Sequence, residues 1–300
     1  MEALLYWGWR FVAAIAQRVP SAFGYAVASF IGDVAYAFWG RKRLIAKRNF
    51  ATVLRRQLSE RAVARTARQS FREFAKYIFE IMRFPRLGSE DLAKLVEMEG
   101  EDRIDRALAH GRGIILVSCH FGNFELGGAR IAGELRTLNV VADDLRSQRL
   151  FELLIGNRAE KGIRIISPVG AAKAVLGSLR RNELVGLMMD LGPRAAAFDT
   201  VDVRFFDQTT RFPTVAANLA RVSGAPIVVG YVVRRRGRPF LGIVGEPIFV
   251  GRGRGALKDV QRATQRIVSE IERFVASWPE QWYVFRPMWP LEYRERALPA

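Results

Sequence analysis

From residue 113 onward, short apolar runs alternate with stretches of helical periodicity, and this alternation constrains the fold more than any other feature of the sequence. The apolar runs predict strands at 113–118, 140–142, 163–166, 184–189, 201–205, 225–233 and 240–244. Between them, helices are predicted at 122–133, 147–161, 171–180, 214–222 and 257–277. Such alternation predicts an α/β domain with a largely parallel central sheet flanked by helices, and functional residues at the carboxyl ends of the strands.

A long amphipathic helix is predicted upstream of this region, because apolar residues recur at helical spacing between 58 and 83. A short strand at 95–99 and a helix at 101–110 connect that helix to the alternating region. We divide the 300 residues into an N-terminal helical segment, 1–48, and a main domain, 49–300.

The N-terminal residues 3–39 are mostly apolar and aromatic, which is unusual for the surface of a soluble domain. Arg10 and Pro20 limit the first half to roughly 15 apolar residues, fewer than the ~20 that cross a bilayer, and Asp33 interrupts the second half. The basic tract 41–48 follows directly. Aromatic rings beside basic residues predict two helices lying in the interface of an anionic membrane, as a membrane-association segment. The alternative is a helical hairpin packed on the main domain, and a hairpin that spans the membrane is not favoured.

The charge of the chain points to an anionic partner, since 47 Lys and Arg residues against 30 Asp and Glu residues give a net charge of +17. Nucleic acid and anionic lipid both meet that requirement. The sequence contains no zinc-finger spacing, RNA-recognition signature or compact basic recognition helix, so lipid is favoured and no nucleic-acid partner is expected. The single cysteine excludes intrachain disulfides and a cysteine-based zinc cluster, and we expect no metal or redox cofactor.

A histidine follows the predicted strand 113–118, and a carboxylate follows that histidine: His120 and Glu125. Histidine titrates near neutrality, and a carboxylate on its far nitrogen fixes the tautomer and stabilises the imidazolium. His120 and Glu125 would be two members of a catalytic triad, but no protein side chain supplies the third member, the nucleophile. Cys119 does not fill that role, because we interpret it as a small buried residue. The attacking group is then a substrate hydroxyl, and the reaction is a group transfer. The alternative is that His120 is a hydrogen-bonded structural residue at the end of a strand.

The spacing His120-x4-Glu125 after an apolar strand resembles the His-x4-Asp/Glu motif of glycerolipid and glycolipid acyltransferases. Further blocks resemble the lauroyl/myristoyl acyltransferases of lipid A synthesis: Asp190-Leu191-Gly192-Pro193-Arg194, Val203-Arg204-Phe205-Phe206 with Thr209-Thr210, Leu219-Ala220, Ser223-Gly224-Ala225-Pro226-Ile227 and Trp278-Pro279-Glu280-Gln281-Trp282. The stretch from 141–146 to 157–158 is similar to the phosphatidylinositol mannoside acyltransferases of the same superfamily. These blocks span about residues 110–290.

The resemblance implies a glycerol-3-phosphate acyltransferase-like fold and the transfer of a fatty acyl chain from acyl-CoA or acyl carrier protein. The acceptor would be a hydroxyl of a membrane glycolipid or phospholipid, and the enzyme would be peripheral on the cytoplasmic face of the bacterial membrane. In this interpretation His120 is the general base and Glu125 orients it. Backbone amides around Gly122 and Asn123 are the expected oxyanion donors.

Asp190 is the second acidic candidate, expected either to orient His120 or to bind acceptor hydroxyls, with capping of the next loop as the alternative. The resemblance places Arg194 beside the acceptor, where a guanidinium suits phosphate recognition, and Arg158 and Arg211 are further phosphate candidates. The chain departs from its relatives at 205–207, where Phe-Phe-Asp replaces Phe-Phe-Gly, and this leaves substrate identity and chain length open. Two other functions remain: a non-catalytic lipid-binding scaffold and, on charge alone, a nucleic-acid-binding protein.

Overall fold

The computed structural model describes residues 2–132, 136–142, 147–167, 170–192, 199–251 and 256–289. The strands are β1 (Val96–Glu99), β2 (Ile114–Ser118), β3 (Leu138–Val141), β4 (Ile163–Ile166), β5 (Leu184–Met188), β6 (Thr200–Phe205), β7 (Gln208–Pro213), β8 (Ile227–Val233) and β9 (Phe240–Val244). The helices are α1 (Glu2–Ala16), α2 (Ser21–Phe38), α3 (Gly40–Val53), α4 (Arg61–Arg83), α5 (Ser89–Leu95), α6 (Asp102–Leu108), α7 (Phe124–Ala132), α8 (Gln148–Ala159), α9 (Ala171–Arg180), α10 (Val215–Ser223) and α11 (Ala256–Ser277).

The central sheet has the strand order β1-β9-β8-β2-β5-β3-β4. Strands β8, β2, β5, β3 and β4 run parallel, whereas β9 is antiparallel to β8 and carries β1 parallel to itself. Helices cover the sheet, so the middle strand β2 is apolar up to its last residue, Ser118, with Ile114, Ile115 and Val117 buried. The predicted α/β fold with a largely parallel sheet flanked by helices is confirmed.

The prediction that strand 201–205 alternates with helices in the main sheet is wrong. That segment is β6, which pairs with β7 in a separate antiparallel ribbon. The turn of the ribbon consists of Phe206 and Asp207, both with positive φ (51° and 59°), as a two-residue hairpin turn requires. Aspartate tolerates this region better than most residues, so Asp207 is compatible with the turn. A two-residue turn leaves no room for a crossover helix, which is why the pair is antiparallel.

The two predicted N-terminal helices are present as α1 and α2, and α2 packs against α4. Glycines allow the close approach: a side chain at Gly24 would meet the Phe79 ring, and one at Gly32 would meet the backbone of Arg72. At the same interface Asp33 accepts hydrogen bonds from Arg68 and Arg72, which hold the pKa of its carboxyl well below the ordinary value.

The opposite face of α2 is apolar and exposed, with Phe23 60%, Phe30 68% and Phe38 86% exposed. Among the described helices, α2 is the one that is long and apolar enough to cross a membrane. The next helix, α3, continues past residue 48, so the predicted domain boundary falls inside a helix.

Candidate active site

The site lies at the carboxyl ends of β2 and β5, which are neighbours in the sheet. Ser118 and Met188, the last residues of these strands, are paired in register. His120 and Asp190 each follow two residues later, so they occupy equivalent positions on adjacent strands. Parallel pairing thereby brings together two side chains that are 70 residues apart in the sequence.

The His120 ring and the Asp190 carboxylate form a hydrogen bond of 2.7 Å between Nδ1 and Oδ1. We call this pair the dyad. The buried carboxylate requires a donor, so Nδ1 carries the proton and Nε2 keeps its lone pair. The histidine side chain is 33% exposed while that of Asp190 is fully buried. The dyad therefore has the arrangement of a general base with its orienting carboxylate behind it.

The other oxygen of Asp190 accepts two further hydrogen bonds, from the backbone N–H of His120 at 3.0 Å and from the indole Nε1 of Trp282 at 3.1 Å. Burial opposes ionisation of Asp190, but the His120 ring, the His120 backbone N–H and the nearby Arg286 guanidinium hold the pKa of the carboxyl below its ordinary value. Arg286 also lies beside the ring, with Nη2 at 3.4 Å from Nδ1. The carboxylate is thus charged throughout the neutral range.

Cys119 precedes the dyad histidine and is completely buried. Burial, with a further contribution from the Asp190 charge, raises the pKa of its thiol well above the ordinary value. A buried thiol that resists ionisation is a poor nucleophile, which fits the interpretation of Cys119 as a packing residue.

The turn after His120 is tightly fixed by backbone hydrogen bonds. The amides of Phe121, Gly122 and Asn123 donate to the carbonyls of Cys119, Gln281 and Val232 at 2.7, 2.9 and 3.0 Å. The expectation that amides at Gly122 and Asn123 serve as oxyanion donors is therefore wrong, because all three are engaged inside the protein. Glycine is required at 122, since φ is +55° and an added Cβ would lie 1.6 Å from the Val232 carbonyl oxygen.

Glu125 is not the residue that orients His120. Its two carboxylate oxygens accept hydrogen bonds from Nε and Nη2 of Arg158 on α8. At the second position of α7 its side chain points toward α8, whereas the preceding Phe124 forms a T-shaped contact with the His120 ring, 5.9 Å away between centroids. The orienting contact predicted for Glu125 is made by Asp190. The Glu125–Arg158 pair lies next to this site, joined to it through Phe124.

The side chain of Arg158 is 24% exposed, and that of its partner Glu125 is 10% exposed. Burial would lower the pKa of its guanidinium, but the hydrogen bonds and charge of Glu125 raise it above the ordinary value. Tyr77 packs on Phe124 at 4.9 Å between ring centroids and lies close to both charges. Arg158 is consequently a fixed, permanently charged group at the edge of the site.

Asn123 links the catalytic turn to a buried ion-pair network. The side-chain Nδ2 of Asn123 donates to Glu80 Oε2 at 2.6 Å. Its side-chain oxygen caps α7 by accepting a hydrogen bond from Leu126 N at 2.9 Å. Both oxygens of Glu80 also accept from Arg234 at 2.7 Å, and Arg234 further bonds to Glu73. The network therefore ties α4, which carries both glutamates, to the turn that holds His120.

The remaining predicted residues lie elsewhere. Arg211, on the exposed side of β7, pairs with Asp202 of β6 at 3.3 Å. Arg194 lies outside the described residues. Trp282 belongs to the C-terminal sequence block, but no motif identified it as a contact of the dyad, and Arg286 lies in no motif. Within the described part of the chain, no three His, Cys, Asp or Glu side chains group as metal ligands.

Comparisons with known proteins identify the family to which the chain is similar. The family model "Bacterial lipid A biosynthesis acyltransferase" matches residues 1–290. A phosphatidylinositol mannoside acyltransferase of Mycobacterium tuberculosis (strain CDC 1551 / Oshkosh) is 27% identical over 241 residues, covering 75% of this chain and 71% of the relative. The enzyme of the same description from Mycolicibacterium smegmatis is 24% identical over 295 residues, covering 94% and 89%.

Among solved structures, the 1-acyl-sn-glycerophosphate acyltransferase PlsC from Thermotoga maritima is similar, with 13% sequence identity and a TM-score of 0.40. The superposition covers 85% of this chain and 99% of that one.

Proposed function

Because the chain belongs to the bacterial lipid A biosynthesis acyltransferase family, we propose that it transfers a fatty acyl chain from an acyl thioester to a hydroxyl of a membrane glycolipid or phospholipid. The donor is acyl-CoA or acyl carrier protein. The observation that carries the mechanism is the 2.7 Å hydrogen bond between His120 and the buried, charged Asp190.

The reaction follows from the state of the dyad. Nε2 of His120 removes the proton as the acceptor oxygen attacks the thioester carbonyl, and the imidazolium is stabilised by the Asp190 carboxylate behind it. The tetrahedral intermediate then collapses, the carbon–sulfur bond breaks, and the imidazolium returns the proton to the leaving thiolate. The products are an ester and a free thiol, and His120 is again neutral. A base of this kind contributes roughly 100- to 10,000-fold to the rate.

Arg158 is the proposed contact for an anionic headgroup. Its guanidinium is held on one edge by Glu125 and is joined to the dyad through Phe124. A fixed guanidinium recognises phosphate with little loss of side-chain freedom. The curated relatives are named for phosphatidylinositol mannosides, which carry a phosphate, and we propose an acceptor with such a group. Arg194 and Arg211 stay further candidates for the same role.

The exposed apolar face of α1 and α2 supports attachment to the membrane surface. Trp7 and Phe11 on α1 and Phe30 on α2 are each more than half exposed, and the basic start of α3 follows. Because α2 is bound to α4 through Asp33, we propose that it lies in the interface on the cytoplasmic side of the membrane. Full-length protein should then co-sediment with anionic vesicles and less with zwitterionic ones, and high salt should weaken the binding.

The histidines provide a matched test of the reaction, because the chain has only two of them. Purified enzyme is incubated with a radiolabelled acyl thioester and a bacterial lipid extract, and the labelled lipid is identified by mass spectrometry. His120→Ala should lose the transfer activity, whereas His110→Ala, on an exposed surface, should keep it. Transfer by His120→Ala at the wild-type rate would overturn the mechanism, whereas absence of transfer by the wild-type protein would favour the lipid-binding scaffold.

A further inference from the structure

The C-terminal segment 281–289, here called the strap, runs along the turn that carries His120. Gln281 O accepts from Gly122 N at 2.9 Å, and Tyr283 N donates to His120 O at 2.7 Å. Between these two bonds, Trp282 forms an isolated antiparallel bridge with Phe121. The backbone register of the strap is therefore fixed on both sides of Trp282.

The indole of Trp282 is completely buried and closely packed. Aromatic rings surround it, with Phe205, Trp289 and Phe50 at 5.8, 6.2 and 6.5 Å between centroids. Ser70 Oγ donates to the Trp282 carbonyl at 3.0 Å and fixes the backbone from α4. In this position the only polar atom of the side chain, Nε1–H, donates to Asp190 Oδ2 at 3.1 Å.

We propose that Trp282 is a positioning residue for the dyad, which holds the Asp190 carboxylate so that Oδ1 alone is presented to the His120 ring. The proposal rests on the proposed function, because it assigns a role to the dyad as the base of the transfer reaction. The geometry carries it: Oδ2 is occupied by the indole and by the His120 amide, and the carboxylate cannot rotate without breaking both bonds. A carboxylate held in this way keeps Nδ1 protonated and aims Nε2 at the substrate.

The indole also affects the protonation of the dyad. The titratable and charged groups that face Asp190 are His120 and Arg286, together with the buried Cys119 thiol. Removing the indole donor leaves these groups in place and makes the carboxyl a stronger base. The pair then takes up a proton at higher pH, whether the proton resides on Asp190 or on His120.

The experiment compares Trp282→Phe with Trp289→Phe in the full-length enzyme. Trp289 is a matched control, since it is also buried and its indole also donates one hydrogen bond, to the Phe205 carbonyl at 3.2 Å. For Trp282→Phe we expect kcat to fall about 10- to 100-fold with KM unchanged, as for a lost hydrogen bond to a charged group. We also expect the acid side of the kcat/KM pH profile to move up by about one pH unit. Trp289→Phe should leave the profile unmoved.

Equal effects of the two substitutions on kcat and on the pH profile would overturn the proposal. That outcome is distinct from failure of the proposed function, which would show as absence of acyl transfer by the wild-type enzyme, and from failure of the proposed base, which would show as full activity of His120→Ala. If Trp282→Phe does not fold, the wild-type enzyme labelled with ¹⁵N-tryptophan supplies the test. One of the six indole N–H signals should move with the titration of the dyad and shift in Asp190→Asn. No movement of any of the six would refute the contact.

Discussion

Replacing Asp190 by asparagine tests the mechanism most directly, because the change is nearly isosteric and acts on one hydrogen-bond pattern. The carboxylate accepts three hydrogen bonds, two on Oδ2 from the His120 amide and the Trp282 indole, and one on Oδ1 from His120 Nδ1. An amide has one acceptor oxygen. If that oxygen keeps the two bonds on the Oδ2 side, the amide N–H₂ faces Nδ1. The ring must then accept at Nδ1 and carry its proton on Nε2, which is the wrong tautomer for a base.

The size of the expected fall in kcat follows from two losses: the base at Nε2 and the buried charge that stabilises the imidazolium. We expect kcat of Asp190→Asn to fall about 1,000- to 10,000-fold, which corresponds to about 4–5.5 kcal/mol in the activation barrier. KM should change little, because the carboxylate is fully buried behind the ring and does not reach the substrate.

The assay is release of the thiol from the acyl thioester, followed in parallel with formation of the labelled lipid. Asp202→Asn is the control, because Asp202 is an exposed aspartate of β6. A kcat for Asp190→Asn within tenfold of the wild-type value would refute the assignment of Asp190 as the partner of the base. Loss of kcat in Glu125→Gln alone would restore the assignment made from the sequence.

The same substitution has a consequence for stability that depends on pH. The folded-state pKa of Asp190 lies below its ordinary value of about 3.9, so its ionisation stabilises the folded protein above that pH. This contribution is lost as the pH falls through the folded-state pKa. The difference in unfolding free energy between wild type and Asp190→Asn should therefore shrink as the pH is lowered below about 4, measured by denaturant unfolding in detergent.

Three further substitutions test the surroundings of the dyad. Glu125→Gln should raise KM for the lipid acceptor more than it lowers kcat, because it loosens Arg158 without touching His120, as steady-state kinetics would show. Arg234→Met should reduce the unfolding free energy by about 3–5 kcal/mol, since buried Glu80 loses its counter-charge and buried Glu73 keeps only Lys76. Gly122→Ala should reduce it by about 2–5 kcal/mol, through a left-handed backbone and a clash with a carbonyl oxygen.

Each stability prediction has a control in the same chain. Arg273→Met removes an exposed i,i+3 pair and should change the unfolding free energy by less than about 1 kcal/mol. Gly156→Ala lies in α8 with open space around the new Cβ, and should be neutral or slightly stabilising. If Arg234→Met or Gly122→Ala lowers the unfolding free energy no more than its control does, the packing described for the turn is contradicted.

Periodicity predicted the sheet well, because parallel strands buried on both faces read as continuous apolar runs. It did not separate the ribbon of β6 and β7 from the sheet, although β6 alternates Val201, Val203 and Phe205 with charged residues, which is typical of a half-exposed antiparallel strand. The turn at Phe206 and Asp207 gave no further signal, because positive φ is expected mainly of glycine.

The part of the site that lies at the ends of the strands could be predicted from the sequence. His120 and Asp190 were identified as residues at the carboxyl ends of parallel strands, and register alone brings them together. Glu125 was misassigned because its distance along the chain says nothing of its direction on α7. Arg286 could not be found, since its contact with the ring spans 166 residues and depends on the course of the strap.

The strap connects the dyad to the N-terminal helices, and this connection bears on how a soluble donor and a membrane acceptor meet. Asn49 of α3 donates to the carbonyls of Val284 and Arg286 at 3.0 and 2.8 Å, and Lys42 donates to that of Phe285 at 2.9 Å. The basic helix proposed to face the lipid headgroups is thereby bonded to the residues that flank His120. Because the helix and the site are joined by short backbone contacts rather than by a flexible linker, attachment to a membrane would fix the height of His120 above it. An acceptor hydroxyl in a lipid headgroup would lie at a defined height as well, so in the proposed reaction the fold would supply much of the positioning of the two reactants.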